Sequence, residues 1–296
     1  MTVLETQPVT VLPDVTETPA EPKRHKRRRP SLWHLFLVPV AFLFLLPFVQ
    51  MFMASVSPAE ELVSFPPPFI PSRIDFGGFV GLFTETPILR WMLNTVIVSS
   101  VAIVSHLVLC SLAGYGFARL KFRGRTFGIL AILGTIMIPT QLLMIPTYIL
   151  FSRLGLIDGL GAAIVPWLAS AFGIFLMRQF FLSLPPELEE AGMIDGANRW
   201  QVFLQIILPL AKPALATLAI FTLLNSWNDL VWPLIAINNQ DWFTLQLGIA
   251  NFQGTRRTQW TLLMAANVIA TLPLIIFFLF AQKQFVQTMT LSGLRG

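Results

Sequence analysis

One cysteine, Cys110, is all the chain contains, so no disulfide can close within it and no cysteine cluster can hold a metal. Charge is scarce as well. Asp, Glu, Lys and Arg make up 12% of the 296 residues, against roughly 25% in an average soluble domain. There is no Gly-x4-Gly-Lys-Ser/Thr phosphate loop, no His-Glu-x-x-His pair and no Gly-x-Ser-x-Gly elbow. Those are the familiar seats of nucleotide hydrolysis, zinc chemistry and serine nucleophiles. The chain is therefore expected to do no covalent chemistry, to bind no cofactor itself and to hold no metal.

What fills the sequence instead is hydrocarbon. Apolar residues make up 55% of the chain, and the mean hydropathy is +0.70. Six apolar runs are long enough to span a bilayer, which takes about 20 residues. They lie near Leu32–Ser55, Trp91–Ala118, Phe127–Phe151, Leu160–Leu182, Ala211–Ile237 and Leu262–Ala281. Pro139, Pro146, Pro166 and Pro273 fall inside them, as neighbouring groups in a membrane bundle permit. The fold class that follows is an all-α polytopic membrane protein with six transmembrane helices.

The basic residues give that bundle a direction. Residues 1–30 read as a disordered tail that carries Lys23-Arg24-His25-Lys26-Arg27-Arg28-Arg29. The membrane domain takes residues 31–296. The run that follows the tail is too long for a signal-peptide core and is not followed by a small-residue cleavage site. With the N-terminus inside, fifteen of the 20 Lys and Arg residues fall on inner segments, and five on outer ones (Arg73, Arg90, Arg153, Arg256 and Arg257). The positive-inside rule then puts both termini in the cytoplasm. A pI near 9.9 reflects topology rather than nucleic-acid binding.

One polar stretch stands out between the fourth and fifth runs, at about 185–210. Pro185-Pro186 stops the preceding helix. Glu187–Ile194 reads as a short helix with its carboxylates in the first turn, where the helix dipole favours them. Glu187 and Glu190 share a face, and Ala191 and Gly192 are small enough for close approach. Asp195-Gly196 is a turn pair. Asn198, with Gln201 three residues on, starts the next helix as a capping box.

This stretch resembles the loop of ABC importer permeases, in which Glu-Ala-Ala, three residues, Gly, nine residues and Ile-x-Leu-Pro follow one another. Here Glu190-Ala191-Gly192 leads to Gly196 and on to Ile206-Ile207-Leu208-Pro209, with Gly192 in the place of the second Ala. Three further segments resemble the carbohydrate-type (maltose and sn-glycerol-3-phosphate) permeases, the shorter six-span subunit above all: Asn94-Thr95, Asn225-Ser226-Trp227-Asn228-Asp229-Leu230-Val231-Trp232-Pro233, and Gln284-Phe285-Val286-Gln287. The ending Ser292-Gly293-Leu294-Arg295-Gly296 departs from the family's usual one. The likeness covers about residues 31–296. It implies the type I importer permease fold in the bacterial inner membrane. It also implies sugar import through a heterodimer with a second permease, an external solute-binding protein, and an ATPase dimer that carries ATP and Mg. Glu187, Glu190, Ala191, Gly192, Asp195 and Gly196 would then be the residues that couple to the ATPase.

The residues bear on this without the name. An ion-driven carrier, the alternative, needs ionisable groups deep in the membrane. Here the runs offer little of that kind: His106, His34 near an inner end and Asp229 near an outer end. His106 reads as a helix–helix hydrogen-bonding partner or as a proton relay. Asn225, Asn228 and Asp229 share a helix face, with Trp227 beside them. Amides, a carboxylate and an indole suit a sugar path, and they suit hydrogen bonding to a partner helix equally. Two long outer segments, about 56–89 and 238–261, read as interfacial caps or as a partner-binding surface.

Overall fold

The computed structural model of the protein describes residues 33–254 and 258–293. The tail at 1–30, Arg256, Arg257, Arg295 and the final residues lie outside the described residues, as do the side chains of His34, Lys283 and 284–287. Thirteen helices serve here as landmarks. They are α1 (Trp33–Ser55), α2 (Ala59–Leu62), α3 (Gly77–Glu85), α4 (Ile88–Arg119), α5 (Arg125–Met137), α6 (Thr140–Arg153), α7 (Leu160–Ser183), α8 (Glu187–Ile194), α9 (Arg199–Leu210), α10 (Lys212–Trp227), α11 (Val231–Ala236), α12 (Leu245–Ala250) and α13 (Trp260–Gly293). Among the described residues no strand forms, only one isolated bridge between Gln253 and Thr258.

Among the described residues, four helices are long and apolar enough to cross a membrane alone: Leu35–Ser55, Ile88–Arg119, Leu160–Ser183 and Trp260–Leu279. Two bent pairs bring the number to six if each pair counts as one span. The expected span at Phe127–Phe151 is one of these pairs, turned by 103° between α5 and α6. The cause is local: Ile138, ahead of Pro139, takes an extended ψ of 120°, as a residue before proline prefers. The expected run Ala211–Ile237 also divides. Helix α10 bends by 74° from α9 and stops at Trp227, where Asn228 bonds back to Leu224 O. Pro166 falls in a tight turn, Val165–Trp167. The helix resumes at Ala171, where Ser170 Oγ accepts from Gly173 N at 3.0 Å. That is an N-cap.

The chain forms two units, residues up to Leu46 and residues from Pro47 on. In the first, the large apolar side chains of α1 are exposed, with Leu35, Phe42, Leu43 and Phe44 all more than two-thirds accessible. Such a surface belongs in lipid or against another chain rather than in water. The second unit holds three buried clusters. One gathers Leu82, Trp91, Trp227, Leu263 and Ala266 from α3, α4, α10 and α13. Another gathers Tyr115, Met177, Phe181, Phe203 and Leu218 from α4, α7, α9 and α10. The last gathers Phe151, Ala162 and Trp232. Helices α4 and α7 touch backbone to backbone, since a Cβ on Gly114 would stand 2.9 Å from Arg178 N.

Helix α4 contains a π turn at His106–Cys110 and α9 another at Phe203–Ile207. His106 is buried, and its Nδ1 lies 3.0 Å from Ala102 O in its own helix. Beside it, Ser105 Oγ donates to Trp167 O across to α7 at 3.2 Å.

Candidate functional site

The polar stretch folds as a short helix, a turn and a second helix. Helix α8 begins directly after Pro186, with Glu187, Glu189 and Glu190 in its first turn. It closes through Gly196 N to Met193 O at 3.1 Å and Ala197 N to Gly192 O at 3.0 Å. Gly196 sits at φ +88°, in the left-handed region where a side chain is strained. Both bonds of the capping box form: Gln201 N donates to Asn198 Oδ1 at 2.9 Å, and Asn198 N to Gln201 Oε1 at 2.8 Å.

The two faces of α8 differ in chemistry. Glu187, Leu188, Glu190, Ala191, Met193, Ile194, Asp195 and Gly196 are exposed, Ile194 at 85%. Glu189 and Gly192, three residues apart, turn inward. Gly192, small enough for close approach, is approached here from within the chain. Its missing side chain leaves room for the chain's own α9, because a Cβ there would stand 2.6 Å from Ile206 Cδ1 and 3.3 Å from Val202 Cγ2.

Glu189 is the functional candidate that sequence reasoning passes over. The residue is buried, with its side chain 12% exposed. Arg119 Nε stands 2.8 Å from Oε1, at ion-pair distance without the alignment of a hydrogen bond. Tyr115 Oη donates to Oε2 at 3.1 Å. Arg119 Nη2 donates separately to Leu184 O at 2.6 Å, at the end of α7. Removing one member of a buried ion pair commonly costs about 3–5 kcal/mol, since the other charge is left without compensation. A signal was present: Tyr115 and Arg119 are four apart on one helix, and tyrosine occurs only twice in the chain.

The polar residues near the end of α10 take different partners. Asn225 and Asn228 are exposed, each bonding its own helix at 2.7 Å, to Phe221 O and Leu224 O. Asn228 Oδ1 also accepts from Gln246 Nε2 at 3.4 Å. Asp229 Oδ2 accepts from Trp167 Nε1 at 3.1 Å. Trp227, expected to flank these residues, points the other way. It is 4% exposed and donates Nε1 to Ala270 O at 3.2 Å. It is a core residue, and no sugar can stack on it in this structure.

The segment 238–254 is folded, and the Asn-Thr pair holds it. Asn94 Nδ2 donates to Asp241 O and Phe243 O, each at 2.9 Å. Thr95 Oγ1 accepts from Leu245 N at 2.7 Å. Trp91 Nε1 donates to Gln240 O at 3.1 Å. Arg90 pairs with Asp241 at 2.7 Å and lies over the Trp242 ring. Asp158 Oδ1 accepts from the N–H groups of Asn238 and Asn239 at 2.8 and 2.6 Å. Those two bonds hold its carboxyl below the usual carboxylate range. Among the described residues, no group of His, Cys, Asp and Glu is placed to hold a metal ion.

Comparison with known proteins agrees with this architecture. The chain is 35% identical over 260 residues to the arabinooligosaccharides transport system permease protein AraQ of Halalkalibacterium halodurans, covering 87% of this chain and 93% of that one. It is 31% identical over 267 residues to the lactose transport system permease protein LacG of Rhizobium radiobacter, covering 89% and 96%. A chain in the crystal structure of a bacterial ABC transporter involved in the import of the acidic polysaccharide alginate superposes with a TM-score of 0.74 at 25% identity, over 85% of this chain and 94% of that one. The fold is that of a type I ABC importer permease. Residues 30–291 match the family described as binding-protein-dependent transport system inner membrane component, and the chain belongs to it as the permease subunit of such an importer.

Proposed function

We propose that this chain passes an oligosaccharide or a sugar-like solute into the cytoplasm, as half of a heterodimer with a second permease. An external solute-binding protein delivers the solute, and energy comes from ATP and Mg held on a separate ATPase dimer. The sugar preference is supported by the relatives, several of which are named for arabinooligosaccharides, lactose or sn-glycerol 3-phosphate. Both termini and α8 face the cytoplasm on this reading, which the excess of Lys and Arg on those segments supports.

The observation that carries the coupling role is the division of α8 into an anchored face and a free one. Glu189 and Gly192 fix the helix from beneath. Glu187, Glu190, Ala191, Met193, Ile194, Asp195 and Gly196 are left for a partner. An exposed apolar edge beside carboxylates suits a cleft with an apolar floor and a basic rim. Asn225, Asn228 and Asp229 supply amide and carboxylate groups along the solute path, with Gln246 bonded to Asn228.

Ala191→Trp and Ile194→Asp test the coupling face without touching the buried one. Each is expected to release the ATPase subunit from the detergent-solubilised complex and to abolish ATP-driven uptake. Retention of the ATPase by both variants, or uptake driven by an ion gradient alone, would overturn the reading.

A further inference from the structure

We propose that Glu189, Arg119 and Tyr115 form the joint that passes movement of α8 into α4, and that α4 carries it to the 238–250 segment. The inference rests on the reading of α8 as the helix that docks the ATPase. The three are positioning residues, acting on the solute path through α4.

Two kinds of contact hold α8 to its own chain. Gly192 meets Ile206 and Val202 through hydrocarbon alone. Such contact is non-directional and lets one helix slide on another. The Glu189 contact is of the other kind. Both carboxylate oxygens are engaged by one turn of α4, at 2.8 Å from Arg119 Nε and 3.1 Å from Tyr115 Oη. The side chains of Arg119 and Glu189 are 13% and 12% exposed. Little water competes there, and charge interactions strengthen in such surroundings. Arg119 also reaches Leu184 O at 2.6 Å, so the joint holds the end of α7. The Tyr115 ring is clamped by Phe181 and Phe203, with centroids 5.8 and 4.7 Å away. A push on α8 that slides past α9 must therefore pull on Arg119 and Tyr115.

Helix α4 is suited to carry that pull. It runs 32 residues from Ile88 to Arg119, about 48 Å at 1.5 Å per residue. Its first two turns hold the 238–250 segment by four bonds, from Trp91, Asn94 and Thr95. Arg90 adds the ion pair to Asp241. One helix is thus bonded at its end to the coupling helix and at its start to the segment whose Gln246 reaches Asn228. The π turn between the two ends is packed rather than loose, since His106 and Cys110 are both buried.

The test uses the assembled complex in proteoliposomes, with a fluorophore on a cysteine introduced at Asn239, which is exposed. Adding ATP with vanadate should change its emission in the parent complex. Glu189→Gln keeps the side chain's shape and removes its charge. This variant should retain the ATPase through purification and still hydrolyse ATP. Its emission change should fall about tenfold, the scale set by loss of a charged interaction. The exchange Arg119→Glu with Glu189→Arg should restore part of the response. A full response in Glu189→Gln overturns the proposal, and so does a parent complex whose fluorophore does not respond. Loss of the ATPase from Glu189→Gln overturns it too, because the pair then only builds the docking face. Failure of the docking reading itself appears elsewhere, as retention of the ATPase by Ala191→Trp and Ile194→Asp.

Discussion

The backbone of Gly248 lies directly against the indole of Trp91: a Cβ at that position would stand 2.0 Å from Cε3. Ring and backbone meet there, and the same indole hydrogen-bonds Gln240 O. Gly248→Ala should lift α12 from α4. Overpacking of this kind costs about 1–3 kcal/mol. Thermal melts of the purified complex should show a lower Tm for Gly248→Ala and a partial return when Trp91→Leu is added. Identical melts for Gly248→Ala and the parent would contradict this packing.

Gly192 should respond to size in two stages. Alanine meets Ile206 Cδ1, the mobile end of a side chain, at 2.6 Å, and Val202 Cγ2 at 3.3 Å, a contact that yields by a few tenths of an ångström. It also gains about 1 kcal/mol of helix propensity over glycine. Gly192→Ala should therefore be near neutral. Gly192→Leu has no such escape and should expel α8 from α9, which faster tryptic cleavage at Arg199 would report. Ile206→Ala in the same chain should slow that cleavage again.

Trp227 and Asn225 should separate stability from transport. Trp227→Phe loses a buried hydrogen bond to Ala270 O, a loss of about 1–3 kcal/mol, and should lower the Tm. Asn225 is exposed and bonds only its own helix, so Asn225→Ala should leave the Tm unchanged and slow ATP-driven uptake. The opposite pattern in paired melting and uptake assays would move the solute path to the other side of α10.

Asp158 should make the 238–239 corner sensitive to acid. Its carboxyl is held below the ordinary range by two main-chain N–H groups. A depressed folded pKa contributes stability that is present above the unfolded value and lost as pH falls through the folded one. Asp158 has φ of +59°, which asparagine tolerates. The Tm difference between the parent and Asp158→Asn should be present at neutral pH and close below the carboxylate range. A difference that does not vary with pH would remove the charge from the account.

Where one local signal governs the outcome, sequence and structure agree. The limits of α8, the left-handed Gly196 and the reciprocal bonds of Asn198 and Gln201 all follow from residues within a few positions of each other. Signals that depend on distant partners stay hidden. Glu189 looks like one more carboxylate in a first turn until α4 brings Arg119 beside it. Trp227 adjoins polar residues in sequence, yet its indole answers to Ala270, 43 positions on. Helices α3 and α12 are short, and their glycines and amides read as loop. Burial of Leu82 against α13 and of Leu245 against α4 makes them helical, as tertiary packing generally does for short helices.

Arg119, Arg125 and Arg178 donate to Leu184 O, to Phe117 O and Ala118 O, and to Phe117 O respectively. These carbonyls stand at the last turn of α4 and just past α7, where no N–H of the same helix can reach them. On the proposed topology, the cations that bias insertion are also plugs in the open ends of two helices. Inverting the protein by trading these arginines for neutral residues would fray the helices it was meant to flip. On that reading the arginines that would orient this permease also hold its tertiary structure together.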